Sequence, residues 1–357
     1  MNETPRRRRA TLVCSILEGS WRQRPTPPPG ISESQLDEVT PLLYGSGAAA
    51  LGWRQISQTE LRSRPSAVLL QQAYRLQVLQ SAIHEEKIKT VFRLLLASSI
   101  EPMLVKGWAA ASLYPERALR PYGDIDLCVR PADYERAAAV LTGPDATGCW
   151  VDLHNGFSEL KDRTVAQLFE RSRLVPLDNE QVRVLSGEDH LALLAIHFLK
   201  HGAWRPLWLC DIAAAIERLP VDFDWDTCLG HDKKRASWIA CGIGLTQRLL
   251  GSRLDDPPSS IKNQKLPDWL IQNILKQWEN PFAINQPPVS HPLPMRDHIR
   301  HPRGFWKALR DRWPNPIIAT ISVNGKLNSA PRLPYQLGNC VSRIARFLTH
   351  LPRELRH

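Results

Sequence analysis

The stretch "MLVKGWAAASLYPERALRPYGDIDLCVRP", Met103–Pro131, constrains this chain more than any other. It is apolar for most of its length, yet it ends in a strand-like run, "DIDLCV", that carries Asp124 and Asp126 one residue apart. Side chains two apart on a strand share a face, so these carboxylates lie roughly 6.5–7 Å apart along the chain. Carboxylates avoid interiors unless something compensates their charge, and a bound cation is the obvious compensation.

The flanking sequence supplies a scaffold for such a site. "EPMLVKG" reads as a short strand ended by Gly107, and "WAAASLY" as a short helix stopped by Pro115. "DIDLCV" is the next strand, Pro131 opens the helix "ADYERAAAVL", and "CWVDLHNG" is a further strand. That order argues an α+β fold with a small mixed β-sheet. Before it, "SESQLDEVTPLLYG" starts a helix with Ser32 or Ser34 as cap. One or two long helices follow, with Leu69, Leu70, Tyr74, Leu76 and Leu79 on a core-facing side. After it, "SGED" has capping-box spacing with Ser186 as cap. "HLALLAIHFLKHG", "LWLCDIAAAIERL" and "RASWIACGIGLTQRLLG" then read as packed helices. The expected organisation is a disordered basic tail over 1–30, a helical N-terminal segment over 31–98, an α/β core over 99–184, a helical domain over 185–290 and a basic extension over 291–357.

Two carboxylates converging on one strand face suit Mg²⁺, which prefers oxygen ligands and keeps waters for a substrate phosphate. A third carboxylate on a neighbouring strand would complete a two-metal site, and Asp152 in "WVDLHNG" is placed for it. Two such ions clamp the attacking and leaving oxygens of an in-line phosphoryl or nucleotidyl displacement. The strand ending in Lys106–Gly107 strengthens the reading, because glycine lets the backbone approach a phosphate and Lys106 can neutralise one.

"LVKGWAAASLYPERALRPYGDIDLCV", then "VDLH", then "LSGEDHLALLAIHFLKHGAWRPLWLCDIA" together resemble the nucleotidyltransferase superfamily of the DNA polymerase β type. Within it they are similar to a group of uncharacterised bacterial nucleotidyltransferase family proteins with a KG…DxD…VDLH pattern. The resemblance covers roughly residues 103–216. It implies an NTP substrate, two Mg²⁺ ions held by Asp124, Asp126 and Asp152, and a phosphate loop starting at Gly107. The superfamily pattern puts a serine right after that glycine; this chain has Trp108, leaving Lys106 or Ser112 to substitute. The activity implied is transfer of a nucleoside monophosphate to a hydroxyl-type acceptor of unknown identity. A toxin-like transferase modifying tRNA, or a catalytically silent nucleotide- or RNA-binding protein, are the alternatives.

Other residues can serve the same site. Arg120 in "ALRPYGDID" carries a fork that matches a phosphate oxygen pair. Tyr114 and Tyr122 read as interior packing. His154 shares the Asp152 strand face and can orient it or contact substrate. His190, His197 and His201 form one stripe of a helix; "HFLKH" lacks the glutamate of HExxH, so they read as structural. The functional alternative sets His201, Trp204 and Asp211 on the acceptor side of the cleft.

Charge bears on the acceptor. Of the net +10, residues 1–30 carry six arginines against two acids, and residues 291–357 carry twelve basic residues against three acids. Basic ends attract polyanions, but the aromatics in "RHPRGFWKALRDRW" read as packing anchors, so a small molecule or peptide is favoured over RNA. Seven cysteines without a CxxC pair suit a reducing cytoplasm rather than a disulfide or zinc framework. No apolar run reaches the roughly 18 residues of a membrane span, and the N-terminal "RRRRATLVCSIL" reads as a non-signal.

Overall fold

The computed structural model describes residues 7–24, 26–280 and 313–354, with only the backbone of the last helix described past residue 345. The fold is α+β: helices flank a five-stranded mixed sheet. The strands are β1 (Met103–Leu104), β2 (Ile125–Cys128), β3 (Val151–His154), β4 (Arg173–Leu177) and β5 (Glu180–Val184), in spatial order β3-β2-β1-β5-β4. Pairing is parallel for β2 with β3 and for β1 with β5, and antiparallel for β1 with β2 and for β4 with β5.

The helical lead-in consists of α1 (Arg8–Leu17), α2 (Glu33–Gly45), α3 (Ala49–Ile56) and α4 (Pro65–Ala97). Ser32 caps α2 with a complete capping box through Gln35. Within the sheet region lie α5 (Gly107–Ala111), α6 (Tyr134–Leu141) and α7 (Val165–Arg171). Then come α8 (Gly187–Lys200), α9 (Pro206–Glu217), α10 (Trp225–Leu229), α11 (Lys233–Leu250), α12 (Ser259–Lys262), α13 (Asp268–Trp278), α14 (Pro316–Ser322) and α15 (Leu333–Glu354). Ser186 caps α8 by accepting from the Asp189 N–H, and the Asp189 carboxylate is itself buried between Arg163 and Arg171.

The sheet is covered on both faces, which explains why "DIDLCV" is apolar on both. Ile125, Leu127 and Val129 face one core with Ile88, Val91, Phe92 and Leu95 of α4 and Ala137 of α6. Cys128, with Met103 and Val105, faces a larger core built from α1–α3, α8, α9, α11 and α13. Asp126 follows the parity of Cys128, so it looks toward this helical layer rather than toward α4. Burying Ile125 and Leu127 contributes about 1.5–3 kcal/mol each, which holds β2 in the register that aims Asp126.

Two expectations are corrected here. Residues 8–17 are not part of a disordered tail: Ala10, Val13, Ile16 and Leu17 recur at helical spacing, are fully buried, and anchor α1. Arg9 and the Ala10 N–H both bond Glu279 at the end of α13, so part of the arginine run is ion-paired. On the single long helix α4, Leu70 is buried but Leu69, Leu76 and Leu79 are 51–64% exposed. The buried stripe instead runs through Ala67, Leu70, Gln77, Ser81, Ile88 and Leu95, because polar Gln77 and Ser81 line the inner side. Within the stretch read as a basic extension, α14 packs into the body: Ile317, Ala319, Thr320 and Ile321 are buried, and Ile317 and Ile321 join the larger core. The basic-aromatic run before Trp313 and the first six residues lie outside the described residues. Among the described residues, no helix is long and apolar enough to cross a membrane, and all seven cysteines are free.

His190, in the buried stripe of α8, gives the fold a pH limit. Burial, helped by Arg173, pushes its imidazole down to about 4. An unfolded histidine takes its proton near 6.5, so between these values the unfolded state binds more protons. The contribution is full above the unfolded value and is lost as pH falls toward the folded one. At about 1.4 kcal/mol per pH unit, His190 accounts for roughly 3 kcal/mol of lost stability on acidification. Urea midpoints of His190→Leu should fall less steeply over this window than those of wild type; parallel curves would refute the assignment.

Candidate active site

Parallel pairing of β2 and β3 sets Asp126 beside Asp152 and Cys128 beside His154. Both strands alternate with the same parity, so Asp126, Asp152 and His154 converge on one face. One oxygen or nitrogen from each lies within 4.8 Å of the others. The His154 Nε2 is 3.2 Å from Asp152 Oδ2 and 3.5 Å from Asp126 Oδ1, and Lys106 Nζ is 3.2 Å from that same Asp126 oxygen. Burial alone would raise the Asp126 carboxyl, but the His154 bond and the Lys106 ammonium outweigh it and hold the group below its usual value. Asp126 is therefore a buried carboxylate kept ionised by its neighbours. Asp124 precedes β2 rather than belonging to it, is exposed, and lines the same cleft.

The cleft has a volume of about 810 Å³. Its floor is the sheet face just described, and α8 and α9 supply His197, Lys200, His201 and Trp208. Glu159 enters from the turn after β3; it is buried and accepts from Lys200 Nζ at 2.9 Å. Lys106, Lys200 and Arg205 line the site together with Asp124, Asp126, Asp152 and Glu159, which suits a ligand carrying both anionic groups and a cation.

Gly107 is where the backbone comes closest to the carboxylates. Its φ is +41°, and a Cβ there would stand 3.3 Å from the Asp124 carbonyl oxygen and 3.8 Å from Asp126 Oδ2. Gly107→Ala should cost about 1–2 kcal/mol for the left-handed backbone and push β2 aside. An unchanged melting temperature would count against this close fit.

The other sequence candidates are placed as follows. Arg120 lines the cleft, but its Nε and Nη2 donate to buried Asp211 and one Nη1 hydrogen goes to the Pro121 carbonyl. Tyr114 donates to the same Asp211 carboxylate at 2.7 Å. The Ser112 hydroxyl donates to the Ala109 carbonyl. Trp108 is buried in the α4-side core and donates its indole N–H to Glu85, so no hydroxyl stands at the position after the glycine. His201 lines the cleft, whereas Trp204 reaches it only through an edge contact with Trp208, 5.6 Å between ring centroids. Asp211 sits beneath the cleft surface, fully buried.

Glu159, Lys200, Arg205 and Trp208 are cleft residues that the sequence reading did not single out. Lys200 falls between His197 and His201 at the end of α8, whereas Trp208 meets those imidazoles only once α9 packs against α8. Nothing in the local sequence of Glu159 marks it.

A family model described as an uncharacterised nucleotidyltransferase matches residues 32–241, more than half of the chain. No curated protein and no solved structure matches it.

Proposed function

Because the chain belongs to the uncharacterised nucleotidyltransferase family, we propose that it transfers a nucleoside monophosphate from an NTP to a hydroxyl on a small molecule or peptide, with Mg²⁺. The observation that carries this reading is the Asp126, Asp152 and His154 set, three ligand atoms within 4.8 Å at the base of a cleft. Two carboxylates and an imidazole with an open side fit a divalent cation whose remaining positions go to phosphate oxygens and water. When bound, such ions supply charge neutralisation at the reacting phosphoryl group.

The residues have separable tasks. Asp126 and Asp152 would hold the cation, and Asp124 lines the same cleft at the strand entrance. Lys106 moves from Asp126 to a phosphate oxygen once the carboxylate is otherwise compensated. Gly107 allows the phosphates close to the backbone. Asp152, exposed to the cleft, takes the acceptor proton, with His154 fixing its orientation. The acceptor oxygen bonds to the α-phosphorus, the α–β phosphoanhydride breaks, and pyrophosphate leaves. His154, His201 and Trp208 line the side from which the acceptor enters.

A silent nucleotide-binding role is the second reading, favoured by the buried Trp108 where a phosphate-binding hydroxyl would stand. One assay separates the two: the protein is incubated with Mg²⁺, each labelled NTP and fractionated cell extract. Label in a new covalent product, with stoichiometric pyrophosphate, is the expected result. NTP binding without pyrophosphate release in any fraction would support the silent reading.

A further inference from the structure

We propose that Glu159, His197 and His201 form a second cation site in the same cleft, one selective for a borderline ion of the Zn²⁺ class. The sequence gives a pair of histidines four apart, His197 in the last turn of α8 and His201 at its C-cap, without the glutamate that would make a zincin helix. The structure brings a carboxylate from elsewhere in the chain. One ligand atom from each of Glu159, His197 and His201 lies within 4.8 Å of the others.

Three features make this more than a chance meeting of side chains. First, His197 Nδ1 is buried and has no hydrogen-bond partner. It stands 3.7 Å from Glu159 Oε1, too far for a hydrogen bond. Ligands bonded at about 2.0–2.2 Å to one tetrahedral ion stand roughly 3.3–3.6 Å apart, so the pair is only about 0.1 Å wider than a shared ion requires. Second, Trp208 packs against both imidazoles, 4.9 and 5.3 Å between centroids, and fixes their orientation. Third, Glu159 Oε1 is the oxygen that faces His197, while Oε2 accepts from the Ser158 hydroxyl, which holds the carboxylate in that orientation.

Two imidazoles and one carboxylate, opening on a cleft, make a three-ligand set with a free position for water or substrate. Two imidazoles to one carboxylate lean toward Zn²⁺, whereas the Asp126–Asp152–His154 set, with two carboxylates to one imidazole, leans further toward oxygen-preferring ions. The two sites are thus chemically sorted. Lys200 is the competitor: its ammonium contacts Glu159 Oε1 at 2.9 Å and must yield when an ion arrives.

Zn²⁺ binding to the full chain, measured by equilibrium dialysis, tests this, with Co²⁺ absorption as a spectroscopic probe. The proposal does not rest on nucleotidyl transfer, and an Asp126→Asn/Asp152→Asn variant separates the two sites. One equivalent of Zn²⁺ should persist in that variant. Its affinity should fall at least about a hundredfold in His197→Ala and in the shape-conserving His201→Gln. Lys200→Met, at a half-exposed residue that leaves the core intact, should instead tighten binding by about tenfold. Zn²⁺ binding that vanishes with the aspartates, or that ignores both the histidine and the Lys200 changes, would overturn the site.

Discussion

Asp126→Asn is expected to cut nucleotidyl transfer by about a hundredfold or more, the scale of losing a charged group aimed at the reacting phosphate. The substitution keeps the size and shape of the side chain and removes its negative charge. Asp126 is 7% exposed and shares one oxygen with Lys106 and His154. The amide oxygen can still accept from Lys106, so the fold should lose only about 1 kcal/mol, one ordinary hydrogen bond. The cation, by contrast, loses its most buried ligand. Pyrophosphate release and a thermal melt on the same preparation separate these effects. A variant that melts like wild type and transfers at the wild-type rate would eliminate the carboxylate-metal mechanism. Asp152→Asn should resemble it in rate, because Asp152 is the neighbouring residue in register on β3.

The Asp126–Asp152 pairing was legible in sequence because it depends only on the two-residue period of strands and on two strands lying side by side. The α+β class was legible for the same reason: strand and helix periods alternate visibly between Met103 and His154. Legibility failed where an environment is assembled from distant segments. Arg120 lies four residues before Asp124, which suggests a phosphate ligand, yet its fork is taken by Asp211, 91 residues away. Glu159 meets His197 and His201 only after α8 folds against the turn that follows β3. The β4–β5 hairpin also escaped notice. Arg173, Leu174 and Pro176 are exposed on an edge strand, so its apolar signal is weak. On α4 the buried side passes through Gln77 and Ser81, and counting leucines selects the opposite, exposed side.

The largest stability effect is expected beneath the cleft, at Asp211→Asn. This carboxylate is fully buried and accepts from Arg120 Nε and Nη2 and from the Tyr114 hydroxyl. Arg120 is itself only 7% exposed, and Arg205 nearby is pushed down to about 10 by burial and by the Arg120 charge. Asp211 is thus the counter-charge for a crowded cationic layer. Neutralising it leaves the Arg120 guanidinium buried without compensation, which costs about 3–5 kcal/mol. Replacing both partners, as in Arg120→Met/Asp211→Leu, should recover most of that loss, since a buried pair exchanged for apolar side chains of similar volume is often close to neutral. Urea unfolding of the two single variants and the double variant forms a cycle that reads the coupling directly. Equal, additive losses would mean that the pair is not coupled. If instead the double variant is stable but fails to bind NTP, Arg120 contacts the nucleotide with its remaining N–H groups as well as holding Asp211 in place.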